Sequence, residues 1–146
     1  MRNHSVVAVP TSFWIISILA LAWNGLGLLA FISQQLMTPE VLSTLSEAEQ
    51  HVISSTPQWV TIAFGTAVLF GALGSLALLF RKKLSIQFFL ISMLAVFVQI
   101  SHIFIIGSEI FQEKGWQMTI MPTAIVVVAI FLWRYAVRAH SKYWLS

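Results

Sequence analysis

The side chains able to do chemistry in this chain are few, and most lie inside long apolar runs. Asn24, Thr66, Gln99, His102 and Thr123 fall within such runs, and Glu109 sits at the edge of one. Amides, hydroxyls and an imidazole are hydrogen-bonding groups, suited to holding a polar molecule more than to breaking one. The chain has no cysteine, which excludes disulfides, thiolate nucleophiles, CxxC redox pairs and Cys-zinc sites together. No pair of carboxylates is embedded for acid–base work, and no serine has a recognisable His/Asp partner. Ser101 and His102 are adjacent, so on a helix their side chains point about 100° apart. No two histidines have metal-ligand spacing. Haem ligation by His102 would need a second copy of the chain, because His4, His51 and His140 lie outside the apolar runs. The expectation is a protein with no catalytic residue, metal or cofactor, and so no enzyme.

What must position these groups follows from composition. Of 146 residues 58% are hydrophobic and 9% are charged, against roughly 25% charged in soluble domains. A chain this short has too little interior to hide that much apolar surface from water, so lipid is the solvent for much of it. A spanning helix needs about 20 mostly apolar residues, and four stretches qualify: about 11–33, 58–80, 85–107 and 117–135, the last apolar through Trp133. Up to that point none contains Asp, Glu, Lys or Arg, and none shows the alternation of a barrel strand. The first run is too long for a typical signal-peptide core of about 7–15 residues. Only Arg2 precedes it, and Ser33-Gln34-Gln35 offers no cleavage pattern, so it reads as a mature helix. The sequence predicts an all-α, polytopic membrane protein: one domain, residues 1–146, with four transmembrane helices in a bundle.

Basic residues set the orientation. Arg2, Arg81, Lys82, Lys83, Arg134, Arg138 and Lys142 would share one side, with Lys114 alone on the other. The positive-inside rule then places both termini in the cytoplasm. The pI near 9.7 therefore reflects topogenic charge, and nucleic acid is not an expected partner. Trp14, Trp59, Trp116, Trp133 and Trp144 fall near span ends, as an interfacial belt predicts, while Trp23 sits deep. The connection 34–57 is long enough for one or two short helices on the periplasmic surface. Thr38-Pro39-Glu40 reads as a cap with a first-position proline, Ser46 to Glu49 as a capping box, and Thr56-Pro57 as the start of the second span.

Ser85, Ser92, Ala95, Gln99, His102 and Glu109 recur along one face of the third span, and lipid cannot satisfy such groups, so this face should point inward. At 1.5 Å per residue, Gln99 lies about 4–5 Å and His102 about 9 Å outward of the span centre, and Asn24 about 3 Å outward in the first span. Thr66 and Thr123 fall in the same half, whereas Ser17, Ser75 and Ser92 are the main polar residues of the other. A periplasmic-side polar pocket is the expectation; ordinary cross-helix hydrogen bonding, worth roughly 0.6 kcal/mol per bond, is the competing explanation. Any pH dependence near neutrality would point to His102. Ala63, Ala67, Gly71 and Ser75, with Gly74 beside them, form a row of small residues that lets backbones approach closely. Its uses are packing against the first span, around Ala22, Gly25 and Gly27, or docking another membrane protein. Pro122 should kink the fourth span or free a carbonyl.

Several segments together, Ser12-Phe13-Trp14-Ile15-Ile16, Ala22-Trp23-Asn24-Gly25, Gly71-Ala72-Leu73-Gly74-Ser75 leading to Arg81-Lys82-Lys83, Met121-Pro122, and Lys142-Tyr143-Trp144-Leu145-Ser146, resemble a set of small bacterial four-helix inner-membrane proteins. Some of these are loosely labelled sugar transporters. The resemblance implies a multi-pass protein of the bacterial cytoplasmic membrane with a possible part in transport. Small multidrug exporters carry an embedded Glu where this chain has Asn24, and quinone-linked thiol oxidoreductases need cysteines. The sequence therefore leads to a protein that binds, and helps move, a small polar or amphipathic solute, with an accessory subunit docking a larger membrane protein as the alternative. Its partners would be the bilayer and either further copies of itself or that larger protein.

Overall fold

The structure is a computed structural model that describes residues 8–114 and 117–146, apart from the side chains at 48, 104 and 106–118. Among the described residues every regular element is helical: α1 (Thr11–Gln35), α2 (Pro39–Ser43), α3 (Glu47–Ser55), α4 (Gln58–Leu79), α5 (Leu84–Lys114) and α6 (Gln117–Ser141). The runs of Leu, Ile, Val and Ala contain no proline except Pro122, inside α6, so nothing interrupts the backbone ladder of the other three. Helices α1, α4, α5 and α6 are each long and apolar enough to cross a membrane. Residues Arg2, Lys114 and Trp116 carry expectations about charge and belt position that lie outside the described backbone or side chains.

The connection 34–57 folds by its caps. Thr38 Oγ1 accepts from the Val41 N–H ahead of Pro39, and Ser46 and Glu49 form the reciprocal capping box. Thr56 departs from expectation. Its hydroxyl donates back to the Val52 carbonyl at 2.6 Å, closing α3, and Pro57 alone precedes α4.

Helix α4 is central. It packs on α5 and on α1, α6 packs on α5, and α1 and α6 scarcely approach one another. The small residues of α4 explain its position. Ala63, Ala67, Gly71, Gly74 and Ser75 are all buried, so the row is used within the chain. A Cβ at Gly74 would come within 2.8 Å of the Phe89 ring of α5, and one at Gly71 would collide with the Asn24 amide of α1. Hydrogen is the only substituent that admits both neighbours. The arrangement is a bundle left open along one side, between its first and last long helices.

One end of the bundle, here the basic end, gathers the start of α1, the α4–α5 turn and the end of α6. Both α4 and α6 finish in Schellman turns. Lys82 N–H donates to the Ala77 carbonyl and Arg81 N–H to that of Leu78; Trp144 and Tyr143 repeat the pattern on Ala139 and His140. Such turns favour glycine at the left-handed position, yet Arg81 (φ 58°) and Tyr143 (φ 60°) occupy it. The tail then docks on the turn. Lys83 N–H donates to the Ser146 carbonyl at 3.0 Å, Ser146 N–H to the Arg81 carbonyl at 2.7 Å, and Arg81 Nε to the Trp144 carbonyl at 2.8 Å. Phe13, Leu78, Phe89, Leu132, Ala136 and Leu145 form the core of this end. The opposite, loop end carries α2 and α3.

Candidate functional site

The register between α1 and α4 decides where the polar groups meet. Asn24 reaches Ser75, while Cβ atoms at Gly27 and Gly65 would lie 3.2 Å from Val68 and 2.8 Å from Phe31. The first turn of α1 therefore runs past the end of α4. Asn24 pairs with a serine that a count from the span midpoints assigns to the other half. Counting fails here because it assumes helices whose centres coincide, and the close contacts at Gly65 and Gly71 shift them.

Around Asn24 the hydrogen bonds can be followed atom by atom. Ser75 Oγ donates to the Gly71 carbonyl at 2.9 Å, so toward Asn24 it can only accept. Asn24 Nδ2 meets it at 3.1 Å and also donates to its own helix, at the Ala20 carbonyl, 2.9 Å away. From the other flank, Ser92 Oγ of α5 donates to the Ala67 carbonyl at 2.7 Å. Helix α4 thus takes one polar contact from each neighbour, at Ser75 and at Ala67 about two turns away. Asn24 Oδ1 lies against Gly71, and both side-chain hydrogen bonds of the residue are made by Nδ2.

Beside this junction is a cavity of about 400 Å³, within the roughly 300–1,000 Å³ of small-molecule sites. All four long helices line it. Trp23, Phe64, Phe89, Val96 and Ile125 supply apolar wall, and Asn24, Ser92 and Gln99 supply the polar atoms. No charged side chain lines it. Gln99 is half-buried, and its amide finds no hydrogen-bond partner among the described residues. A second cleft, about 550 Å³, lies between α1 and α6 and is lined by Ile16, Leu19, Ala22 and Phe131; it shares Trp23, Leu26, Val128 and Leu132 with the first. At the basic end Phe89 and Leu132 belong both to the cavity wall and to the packed core. The core closes the cavity there.

Of the residues singled out from the sequence, Asn24 and Gln99 come together on this cavity, with Ala67 in its wall. Three do not line it. Thr66 Oγ1 donates to the Ile62 carbonyl of its own helix at 2.8 Å. Thr123 is exposed. The His102 ring stands edge-on to Trp59, with centroids 5.6 Å apart. The side chain of Glu109 lies outside the described residues. The inward stripe of α5 is otherwise as its spacing implies, with Ser85, Ser92 and Ala95 buried. Ser92 and Trp23 are site residues that the depth count missed. The signal for Ser92 is its place on the same helix face as Ala95 and Gln99. No family model, curated protein or solved structure matches the chain.

Proposed function

We propose that the chain is a small integral protein of the bacterial cytoplasmic membrane that binds an amphipathic molecule in the Asn24–Gln99 cavity and catalyses no reaction. The observation that carries this is a cavity wall that is apolar except for Asn24, Ser92 and Gln99, with the Gln99 amide free of any hydrogen bond among the described residues. In hydrocarbon an unsatisfied amide costs several kcal/mol, so a site that keeps one open is built for an occupant. The basic turn 81–83 and Arg134, Arg138 and Lys142 gather near one end, and Glu40, Glu47 and Glu49 lie toward the other, which supports a cytoplasmic basic end and a periplasmic loop end. The packed core below the cavity favours binding over conduction, so carriage across the membrane would require that core to open or further copies of the chain.

The test is mass spectrometry of solvent extracts from the purified full chain and from Gln99→Leu. A small molecule present in stoichiometric amount with the wild type and depleted in the variant supports the reading. Equal amounts in both, or none in either, refute it.

A further inference from the structure

We infer that the occupant is a neutral, hydroxyl-bearing lipid of the mono- or diacylglycerol kind, which reaches the cavity sideways from the bilayer between α1 and α6. The inference rests on the binding reading above and adds the ligand class and the route.

The route follows from the packing. The core of Phe13, Leu78, Phe89 and Leu132 closes the basic end. Near that end α1 and α6 are tied by an aromatic contact, with Phe13 and Tyr135 stacked at 6.3 Å. Further along, the 550 Å³ cleft lies between the two helices and shares four wall residues, Trp23, Leu26, Val128 and Leu132, with the cavity behind it. Its rim residues Leu19, Leu26 and Phe131 are exposed and apolar. In a membrane that surface touches acyl chains, so a molecule dissolved in the bilayer meets no polar barrier on this path.

The ligand class follows from the atoms inside. Asn24 has given both amide protons away, and its Oδ1 can only accept. Ser92 has donated its proton to Ala67, so it too can only accept. Gln99 offers two donors and one acceptor. A head group that satisfies this set must donate as well as accept, as a hydroxyl or glycerol does. A quinone or an alkyl ester accepts only and leaves Asn24 Oδ1 unmet. A carboxylate or phosphate would enter a cavity without any lining charge, and an unpaired buried ion is prohibitively costly. The apolar cleft then accommodates the acyl chain.

The test uses the full chain in phosphatidylcholine nanodiscs with 9,10-dibromostearoyl glycerol at a few mol% as the probe. Quenching of Trp23 is read as the difference between wild type and Trp23→Phe. Saturable quenching is expected, weakened about fivefold in Gln99→Leu, the equivalent of one hydrogen bond of about 1 kcal/mol. The brominated methyl ester of the same acid should bind at least fivefold more weakly. If the ester quenches as well as the glycerol lipid, the ligand class is overturned while the cavity reading stands. If neither quenches saturably, the proposal fails; whether a different molecule is then found in the solvent extracts decides separately on the binding reading. For the route, Leu19→Cys with Phe131→Cys can be bridged across the cleft by a short bis-maleimide, because the chain has no other cysteine. Bridging should slow loading at least tenfold relative to the same variant unbridged. Equal loading rates would overturn lateral access.

Discussion

Replacing Gly71 with alanine tests the geometry of the site most directly. The added Cβ would overlap Asn24 Oδ1 and stand 2.9 Å from Asn24 Cγ and 3.2 Å from Ser92 Oγ, where carbon atoms prefer about 3.5–4.0 Å. Either Asn24 swings away and gives up Ser75, or α1 moves off α4 and loosens its contacts at Val68 and Gly65. Overpacking of this kind costs about 1–3 kcal/mol, and a lost interhelical hydrogen bond adds about 0.6 kcal/mol. Alanine returns up to about 1 kcal/mol through its better helix propensity. Gly71→Ala should therefore destabilise the protein by about 1–2 kcal/mol. With Asn24→Ala as background the obstacle is gone, and the same change should be neutral or slightly stabilising. The coupling expected from the double-mutant cycle is then about 2 kcal/mol. Unfolding by sodium dodecyl sulfate in mixed micelles, followed by circular dichroism, measures all four variants. An equal loss in both backgrounds would show that Gly71 does not face Asn24.

Three further outcomes are expected. Gln99→Leu removes an unpartnered amide from an apolar wall and should stabilise the solute-free protein by about 1 kcal/mol in the same titration; destabilisation would mean that the amide has a partner. Tyr143 is 79% exposed and held at φ 60°, so Tyr143→Gly should raise stability by about 1 kcal/mol by removing the left-handed penalty; a fall would place the tyrosine ring in a contact that matters. His102→Ala should leave the amount of co-purified molecule unchanged, because the imidazole packs on Trp59 away from the cavity. Depletion in that variant would put His102 in the site.

How far the sequence could be read depends on the range of each interaction. Long apolar helices are encoded within about 20 consecutive residues, and the caps at Thr38 and Ser46 within four, so both are legible. The inward stripe of α5 followed from spacing alone. The meeting of Asn24 with Ser75 did not, because the axial offset of two helices is set by which glycines admit which side chains. Depth alone places Thr66 in the pocket, yet a threonine can satisfy itself on its own helix, as the bond to Ile62 shows. The docked tail was hidden for a related reason. Arg81 and Tyr143 occupy backbone positions that usually advertise themselves as glycine, and the three bonds joining tail to turn span more than 60 positions of sequence.

The neighbour relations of the long helices repeat their order of synthesis: α1 beside α4, α4 beside α5, α5 beside α6. Each long helix can settle against the one that precedes it in the chain, with no earlier pair to prise apart. Sequential packing of this kind also builds closed four-helix bundles; here the last helix meets the first near the basic end, where Phe13 and Tyr135 stack, and a cleft parts them further along. In a bilayer, acyl chains would stand in for the wall that the protein itself does not supply along this flank.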